Sequence, residues 1–268
     1  MKKLIIASLL TLSFNCWAED FNLYSGNITG VYYGLGDKIC DILDCTPKTS
    51  TGSIDNIQKL NKDPNGLAIV QYDVFQANSD QLITINTLYS EAFTLVTKAD
   101  SDINSFKDLK DKIVNVDSSN SGTYFALEKL IKAYQMDFLN FKETKNISMH
   151  KQGVALCNGK IDATLNIIGH PNVNLQATAN ECKLKIIPIN DAIAKQFISQ
   201  NKAFNLTEIK ANIYPFNPEN IKTIGVKALL VASKKIDPKL LAQLKNKLNA
   251  SYDSLKSKSN GLNGIALD

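Results

Sequence analysis

Residues 112–134 read KIVNVDSSNSGTYFALEKLIKAY. Lys112 to Val116 is a short run rich in β-branched residues, which predicts a strand. Asp117 to Ser121 is a polar loop of small side chains. Tyr124, Leu127, Leu130, Ile131 and Tyr134 then recur at the helical period, so they predict an amphipathic helix. Strand, small polar loop and helix together make half of a βαβ unit.

The same theme runs outward in both directions. Towards the N-terminus, Phe21 to Tyr24 reads as a strand, Ser25 to Gly30 as its loop, and Val31, Leu35, Ile39 and Ile42 as one helical face. Thr46 to Thr49, the loop Ser50 to Ser53 and a helix carrying Ile54, Ile57 and Leu60 repeat it. Leu67 to Gln71 is a buried strand, and Leu82 to Leu88 and Phe93 to Lys98 read as two more. Ser105 with Asp108 predicts a capped single turn. Towards the C-terminus, Ala163 to Ile168 is a strand that ends in Gly169-His170-Pro171, with a helix beyond. Leu184 to Ile189 and Thr223 to Ala232 read as strands. Pro238 opens a final helix bearing Leu240, Leu241, Leu244 and Leu248. Such alternation predicts an α/β protein with parallel sheets covered by helices. Phe93 to Lys98 and Gly225 to Ala232 are candidate crossings between two lobes. On that division residues 19–98 plus 227–268 form lobe 1, and residues 99–226 form lobe 2.

The first 18 residues read differently. Lys2 and Lys3 precede the apolar run Leu4 to Leu12, and Cys16-Trp17-Ala18 fits a cleavage site, which predicts a signal peptide cut after Ala18. The run is too short for a bilayer span. A lipid anchor at Cys16 is disfavoured by Phe14 and Asn15. The chain has 268 residues, is 44% hydrophobic and carries a net charge of +4, enough apolar content for a large core. Loss of Lys2 and Lys3 leaves +2, too little surplus for nucleic-acid binding. There is no arginine, so no guanidinium fork can clamp a ligand carboxylate.

Cys40, Cys45, Cys157 and Cys182 remain after export. An even number in an exported chain predicts disulfides. Of the three pairings, Cys40–Cys45 and Cys157–Cys182 are preferred because each pair is close in sequence. A four-cysteine zinc site would need a C-x2-C spacing that is absent.

In open α/β sheets ligands bind beyond the carboxyl ends of the strands. Four loops rich in Gly, Ser, Thr and Asn lie there, at 26–30, 50–53, 118–123 and 169–172. Each precedes a helix, whose free N–H groups and dipole favour an anion. Candidate ligand-binding residues are therefore Gly30, Ser50, Thr51, Gly52, Ser53, Ser119, Ser121, Gly122, Thr123, Gly169, His170 and Pro171. Tyr32, Tyr33, Tyr89, Gln71 and Asp73 join them as side chains placed to line a cleft. Each has a plainer reading as well: Ser53 and Ser121 as N-caps, the tyrosines as core, His170 as a structural hydrogen-bonding residue. No nucleophile elbow is present, and neither His150 nor His170 has a marked catalytic partner. A hydrolase is the weaker reading, and no catalytic residue, metal or cofactor is expected.

The chain resembles the TAXI family of TRAP-transporter solute receptors. The matching stretches are Thr29-Gly30-Val31-Tyr32-Tyr33, Ser50-Thr51-Gly52-Ser53, Leu67 to Asp73, Asp108 to Val116, Ser121-Gly122-Thr123, Gly159 to Ala163, Ile168 to Asn172 and Thr223 to Val226. The resemblance implies a type II periplasmic-binding-protein fold, with two α/β lobes joined by two crossing strands and a ligand cleft between them. It implies capture of glutamate or a related amino or organic acid in the periplasm of a Gram-negative bacterium. Delivery would be to a TRAP-type membrane permease, and a monomer is expected. The chain departs from the family where one Gly is missing before Ser53, where Asn120 replaces a Gly, and where Gly34 replaces a Pro. An ABC importer or a membrane sensor kinase is the alternative partner.

Overall fold

The computed structural model describes residues 21–251, 253–255 and 257. The expected signal segment 1–18, with Cys16 and the cut after Ala18, lies outside the described residues. β1 (Asn22–Tyr24), α1 (Val31–Leu43), β2 (Thr46–Lys48), α2 (Ser53–Leu60) and β3 (Leu67–Gln71) follow the sequence reading closely. All five residues of β3 are buried, as a strand covered by helices on both faces requires. α1 buries Leu35, Ile39 and Leu43, one stripe at i, i+4 and i+8. α3 (Tyr72–Ala77) starts directly from β3 without a loop.

β4 (Leu82–Lys98) corrects the expectation of two strands. It is one strand of 17 residues. The polar pair Ser90-Glu91 breaks the apolar pattern and mimics a turn, yet Glu91 is 4% exposed. A capped 3-10 turn at Phe106–Leu109 leads into β5 (Ile113–Asn115), and Ser105 and Asp108 form the reciprocal capping box there. α4 (Gly122–Ala133), β6 (Glu143–Lys145), α5 (Met149–Cys157), β7 (Ala163–Ile168), α6 (Val173–Glu181), β8 (Leu184–Ile187), α7 (Ala192–Gln200), β9 (Phe204–Ile209), β10 (Ile221–Ser233) and α8 (Pro238–Ala250) complete the order. β6, α7 and β9 are additions to the sequence reading.

The strands form one sheet in the order β2-β1-β3-β10-β4-β7-β5-β6, with β8 on β4 and β9 on β10. It is mixed, not wholly parallel. β10 runs antiparallel to both β3 and β4, and β4 runs antiparallel to β7. Helices cover this sheet in two separate places. The clusters around Leu35, Ile39 and Ile69 and around Ile57 and Val70 draw their buried members from residues 21–89 and 228–255. The clusters around Phe93, Leu127 and Leu165 and around Val96 and Leu156 draw theirs from residues 92–226. The chain therefore leaves the first core at Tyr89–Ala92 and returns at Val226–Ala228. Phe93 and Leu95 already belong to the second core. Among the described residues no helix is long and apolar enough to cross a membrane.

Both disulfides form as the sequence suggested, Cys40–Cys45 and Cys157–Cys182. The second joins the ends of α5 and α6, and these helices also touch at Gly153. A Cβ on Gly153 would lie 2.0 Å from Thr178 Oγ1 and 2.9 Å from its Cβ. Gly153→Ala is therefore expected to destabilise the protein by about 1–3 kcal/mol through overpacking. That reverses the usual helix preference of about 1 kcal/mol for Ala. Urea unfolding checks the sign, and a stabilised variant would show that α5 and α6 are not this close.

Candidate functional site

Between the two cores lies a cavity of about 280 Å3. Its walls are the loops that lead into α1, α2, α4, α5 and α6, at the carboxyl ends of β1, β2, β5, β6 and β7. Its floor is made by Gln71 at the end of β3, Tyr89 and Glu91 from β4, and Ile167 and Ile168 from β7. α1, α2 and α5 begin at Gly30, Gly52 and Ser148 with no side-chain cap, and all three residues line the cavity. The first turns of α1 and α5 thus present the positive end of the helix to the enclosed space, while that of α2 is met by the facing core. α4 and α6 are capped from within. Ser121 Oγ accepts the Tyr124 N–H at 3.0 Å, and Asn172 Oδ1 accepts those of Asn174 and Leu175 at 3.0 and 3.2 Å.

The floor carries a buried acid. Tyr32 Oη donates to Glu91 Oε2 at 2.8 Å and Tyr89 Oη to Oε1 at 3.3 Å. The two rings meet edge to face with centroids 6.3 Å apart. Burial pushes the Glu91 carboxyl up to about 8, against the opposing pull of the two phenol donors. Burial also raises both tyrosines well above their usual range. Asp117, in the left-handed region at φ 70°, brings a second carboxylate to the cavity, and burial raises it too. Among the described residues no lysine or histidine lines the cavity. Among the described residues no group of three or more His, Cys, Asp or Glu is placed to hold a metal ion.

The two cores touch directly across this cavity. Ile54 and Asp55 at the start of α2 donate their N–H groups to Asn120 O at 3.1 and 3.2 Å. Gln71 Nε2 donates to Gly122 O at 3.2 Å and to Asp73 Oδ1 at 2.7 Å. Lys129 on α4 reaches the buried Asp73 at 3.3 Å and lies 3.9 Å from the Phe125 ring centroid. Burial raises Asp73 more than Lys129 lowers it. At the rim, Asn174 Nδ2 donates to Thr29 O at 3.2 Å. Gly52, at φ 122°, allows a close approach of the backbones, since a Cβ there would sit 2.9 Å from Ser121 Cα.

Most of the sequence candidates meet here. Gly30, Tyr32, Ser50, Thr51, Gly52 and Ser53 line the cavity from the first core, with Gln71 and Tyr89. Ser121, Gly122, Thr123 and Gly169 line it from the second. Ser53 is no N-cap; its Oγ accepts the Gln71 N–H at 3.0 Å. Asp73 lies behind Gln71, outside the lining. Tyr33 is half-buried on α1, and Ser119 is exposed at the loop tip; neither lines the cavity. His170 and Pro171, joined by a cis bond, also stay outside it. His170 sits between Thr94 Oγ1 at 2.8 Å and Tyr214 Oη at 2.7 Å, and burial lowers it to about 4, so it is neutral at pH 7. Sequence reasoning missed Glu91, Asp117, Asn146, Ser148 and Met149. For Glu91 a signal existed: it is the lone acid within the run Leu88 to Val96.

Comparison with known proteins agrees with this architecture. The model of the NMT1-like family matches residues 23–268, and the chain belongs to that family. Solved structures share the fold at low identity. The arginine-, lysine- and histidine-binding protein ArtJ from Geobacillus stearothermophilus is 11% identical with a TM-score of 0.57, over 91% of this chain and 94% of that one. A structure from work on glutathione import via GshT and the cystine ABC importer of Streptococcus mutans is 15% identical with a TM-score of 0.58, over 93% and 98%. A histidine kinase sensor domain with similarity to periplasmic binding proteins is 10% identical with a TM-score of 0.60, again over 93% and 98%. The fold is thus the type II periplasmic-binding-protein fold that the sequence resemblance implied.

Gly122 offers a test of the contact between the cores. A Cβ there would meet Gln71 Oε1 at 2.8 Å and Ser53 Oγ at 2.9 Å, both on the facing core. Gly122→Ala is expected to change thermal stability little, because the contacts between the cores that it loosens are worth only about 1 kcal/mol each. It is expected to open the cleft, seen as a larger radius of gyration in solution X-ray scattering. Superimposable scattering curves for the two proteins would contradict this.

Proposed function

We propose that this member of the NMT1-like family is an extracytoplasmic solute-binding protein, which captures a small amino-acid-like solute in the cleft and delivers it to a membrane transporter. The carrying observation is the polar cavity enclosed between two cores that touch through Gly52, Gln71, Gly122 and Lys129. A solute that bridges both sides favours the touching arrangement by its differential affinity, and so closes the cleft on itself. On this reading one lobe comprises residues 21–89 with the returning chain from Ala228, and the other comprises residues 92–226. Two disulfides support a location outside the reducing cytoplasm.

An ABC importer is the partner this reading favours. Proteins of this fold include a structure from cystine ABC import and a binding protein for basic amino acids. The TRAP permease implied by the TAXI resemblance is the second reading, and it rests on the loop motifs around Gly30, Gly52 and Thr123. The fold of a sensor domain also keeps a kinase partner in view. A role without catalysis is supported by how the candidate nucleophile and base are occupied. Ser53 Oγ holds the Gln71 N–H, and His170 is enclosed by Thr94 and Tyr214.

Thermal unfolding of the mature oxidised protein, stripped of carried ligand by unfolding and refolding, tests this. The probes are the L-amino acids and small carboxylates. A true ligand at 100-fold its dissociation constant adds about 2.7 kcal/mol, a readable rise in Tm. No shift with any solute would count against capture as the function.

A further inference from the structure

Glu91 and Asp73 are both buried acids, and they are treated differently. Asp73 has Lys129 at 3.3 Å. Glu91 has two phenols and no cation, although it is 4% exposed. A carboxylate taken out of water without a partner charge is unfavourable, and it either finds a cation or keeps its proton. Among the described residues none supplies a cation to Glu91. The cavity holds Glu91 and Asp117 and no basic side chain, and the chain has no arginine. We infer that Glu91 is the ammonium-binding group of the cleft, and that the solute carries a protonated amine with at most one carboxylate, as a neutral or basic α-amino acid does.

This inference rests on the solute-receptor reading and sharpens it. Tyr32 and Tyr89 each donate to a different oxygen of Glu91, which fixes the carboxylate plane and leaves each oxygen a further lone pair. The uncapped starts of α1 and α5, both at the cavity, suit the anionic end of the solute. A second carboxylate, as in glutamate, would meet Glu91 or Asp117 with no lysine to offset it. The acidic solute expected from the family resemblance is thereby replaced by an amine.

The titratable groups facing Glu91 are few. Tyr32 comes from α1 and Tyr89 from its own strand, Asp73 acts on it from α3, and Asp117 lines the same cavity. On β10 its register partner is Val226, while Lys227 pairs with Ser90 on the other face of the sheet. The free carboxyl holds its proton up to about pH 8. An ammonium needs the ionised form, so binding displaces that proton and affinity rises with pH up to about 8. An anionic solute would give the opposite sign, because it would be held by the protonated acid and lost above that pH.

Calorimetric titration of the stripped mature protein decides between them, with the L-amino acids, succinate and L-malate as probes. Whichever amino acid binds is compared with its 2-hydroxy and N-acetyl analogues. Each change of the amine is expected to weaken binding on the order of 100-fold, as for a site that is left with an unpaired buried group. From pH 6 to 8 the affinity is expected to rise roughly tenfold per unit, with ~1 proton released per solute in buffers of differing ionisation enthalpy. Glu91→Gln should bind on the order of 100-fold more weakly. It should stay folded, with a Tm at pH 8 at or above that of wild type, since the raised acid costs the folded state stability as pH climbs from 4.5 to 8. Should that variant not fold, the wild-type pH profile alone decides. Equal binding of the hydroxy acid, tight binding of a dicarboxylate, or affinity that falls with pH overturns the amine assignment and leaves the receptor reading intact. Absence of binding by every probe overturns both.

Discussion

The pairing of β4 with β10 is the constraint on which the rest depends. The two strands run antiparallel from Leu82–Ser233 to Ala92–Gly225, and they carry the chain across the junction between the cores in both directions. A continuous ladder satisfies the backbone groups there, so the junction needs no loop buried without partners. Two register shifts, at Ala228/Leu229 and Leu230/Val231, absorb the bend and twist of such long strands. Because the backbone is already satisfied, a side chain as unfavourable to bury as Glu91 can be set into the seam, with Tyr89 two residues before it on the same strand and Tyr32 reaching it from α1. The helix starts from both cores then converge on one point beside that seam.

Much of this was legible in the sequence, for definite physical reasons. β3 is apolar from Leu67 to Val70 and β7 is mostly apolar, with every residue of both strands buried, as strands covered on both faces require. The loops that line the cavity were legible because a helix start that faces a cavity needs small residues with hydroxyls or no side chain, and Gly52, Thr51 and Thr123 are of that kind. The disulfides were legible because both pairs are near neighbours in the chain. What was not legible depended on contacts between distant residues. Ser90-Glu91 looks like a turn until Tyr32, 59 residues away, is brought to it. Asn146, Ser148 and Met149 enter the cavity only because β6 pairs with β5. His170 and Pro171 follow a strand end as site residues would, but Tyr214 and Thr94 draw the imidazole into the second core. Gly153 marks a helix contact that only Thr178 explains.

The contact across the cavity is built from weak parts. Gln71 to Gly122, the Asn120 carbonyl at the start of α2, and the half-exposed Lys129 on Asp73 each contribute little, since net hydrogen bonds are worth about 1 kcal/mol. For the proposed capture of a solute that weakness is useful. A closed state held too firmly would bind and release slowly, and one with no preformed contacts would need its solute to supply all the closing free energy. Glycine at 52 and 122 sets the fit, because it admits the facing backbone of Ser121 at one position and the side chains of Gln71 and Ser53 at the other.

The two buried acids divide the work between closing and choosing. Asp73 belongs to the closure: its partner Lys129 comes from the opposite core, so the pair is complete only when the cores meet. Glu91 sits in the seam itself, and both of its donors, Tyr32 and Tyr89, pack in the first core. These two donors therefore do not depend on the facing core. A chain without arginine cannot recognise a carboxylate by a guanidinium fork, so discrimination falls to the other end of the molecule. A fixed, uncompensated carboxyl at the floor of a cavity supplies it, since the free energy that burial withholds from Glu91 is released only to a solute that brings the missing charge.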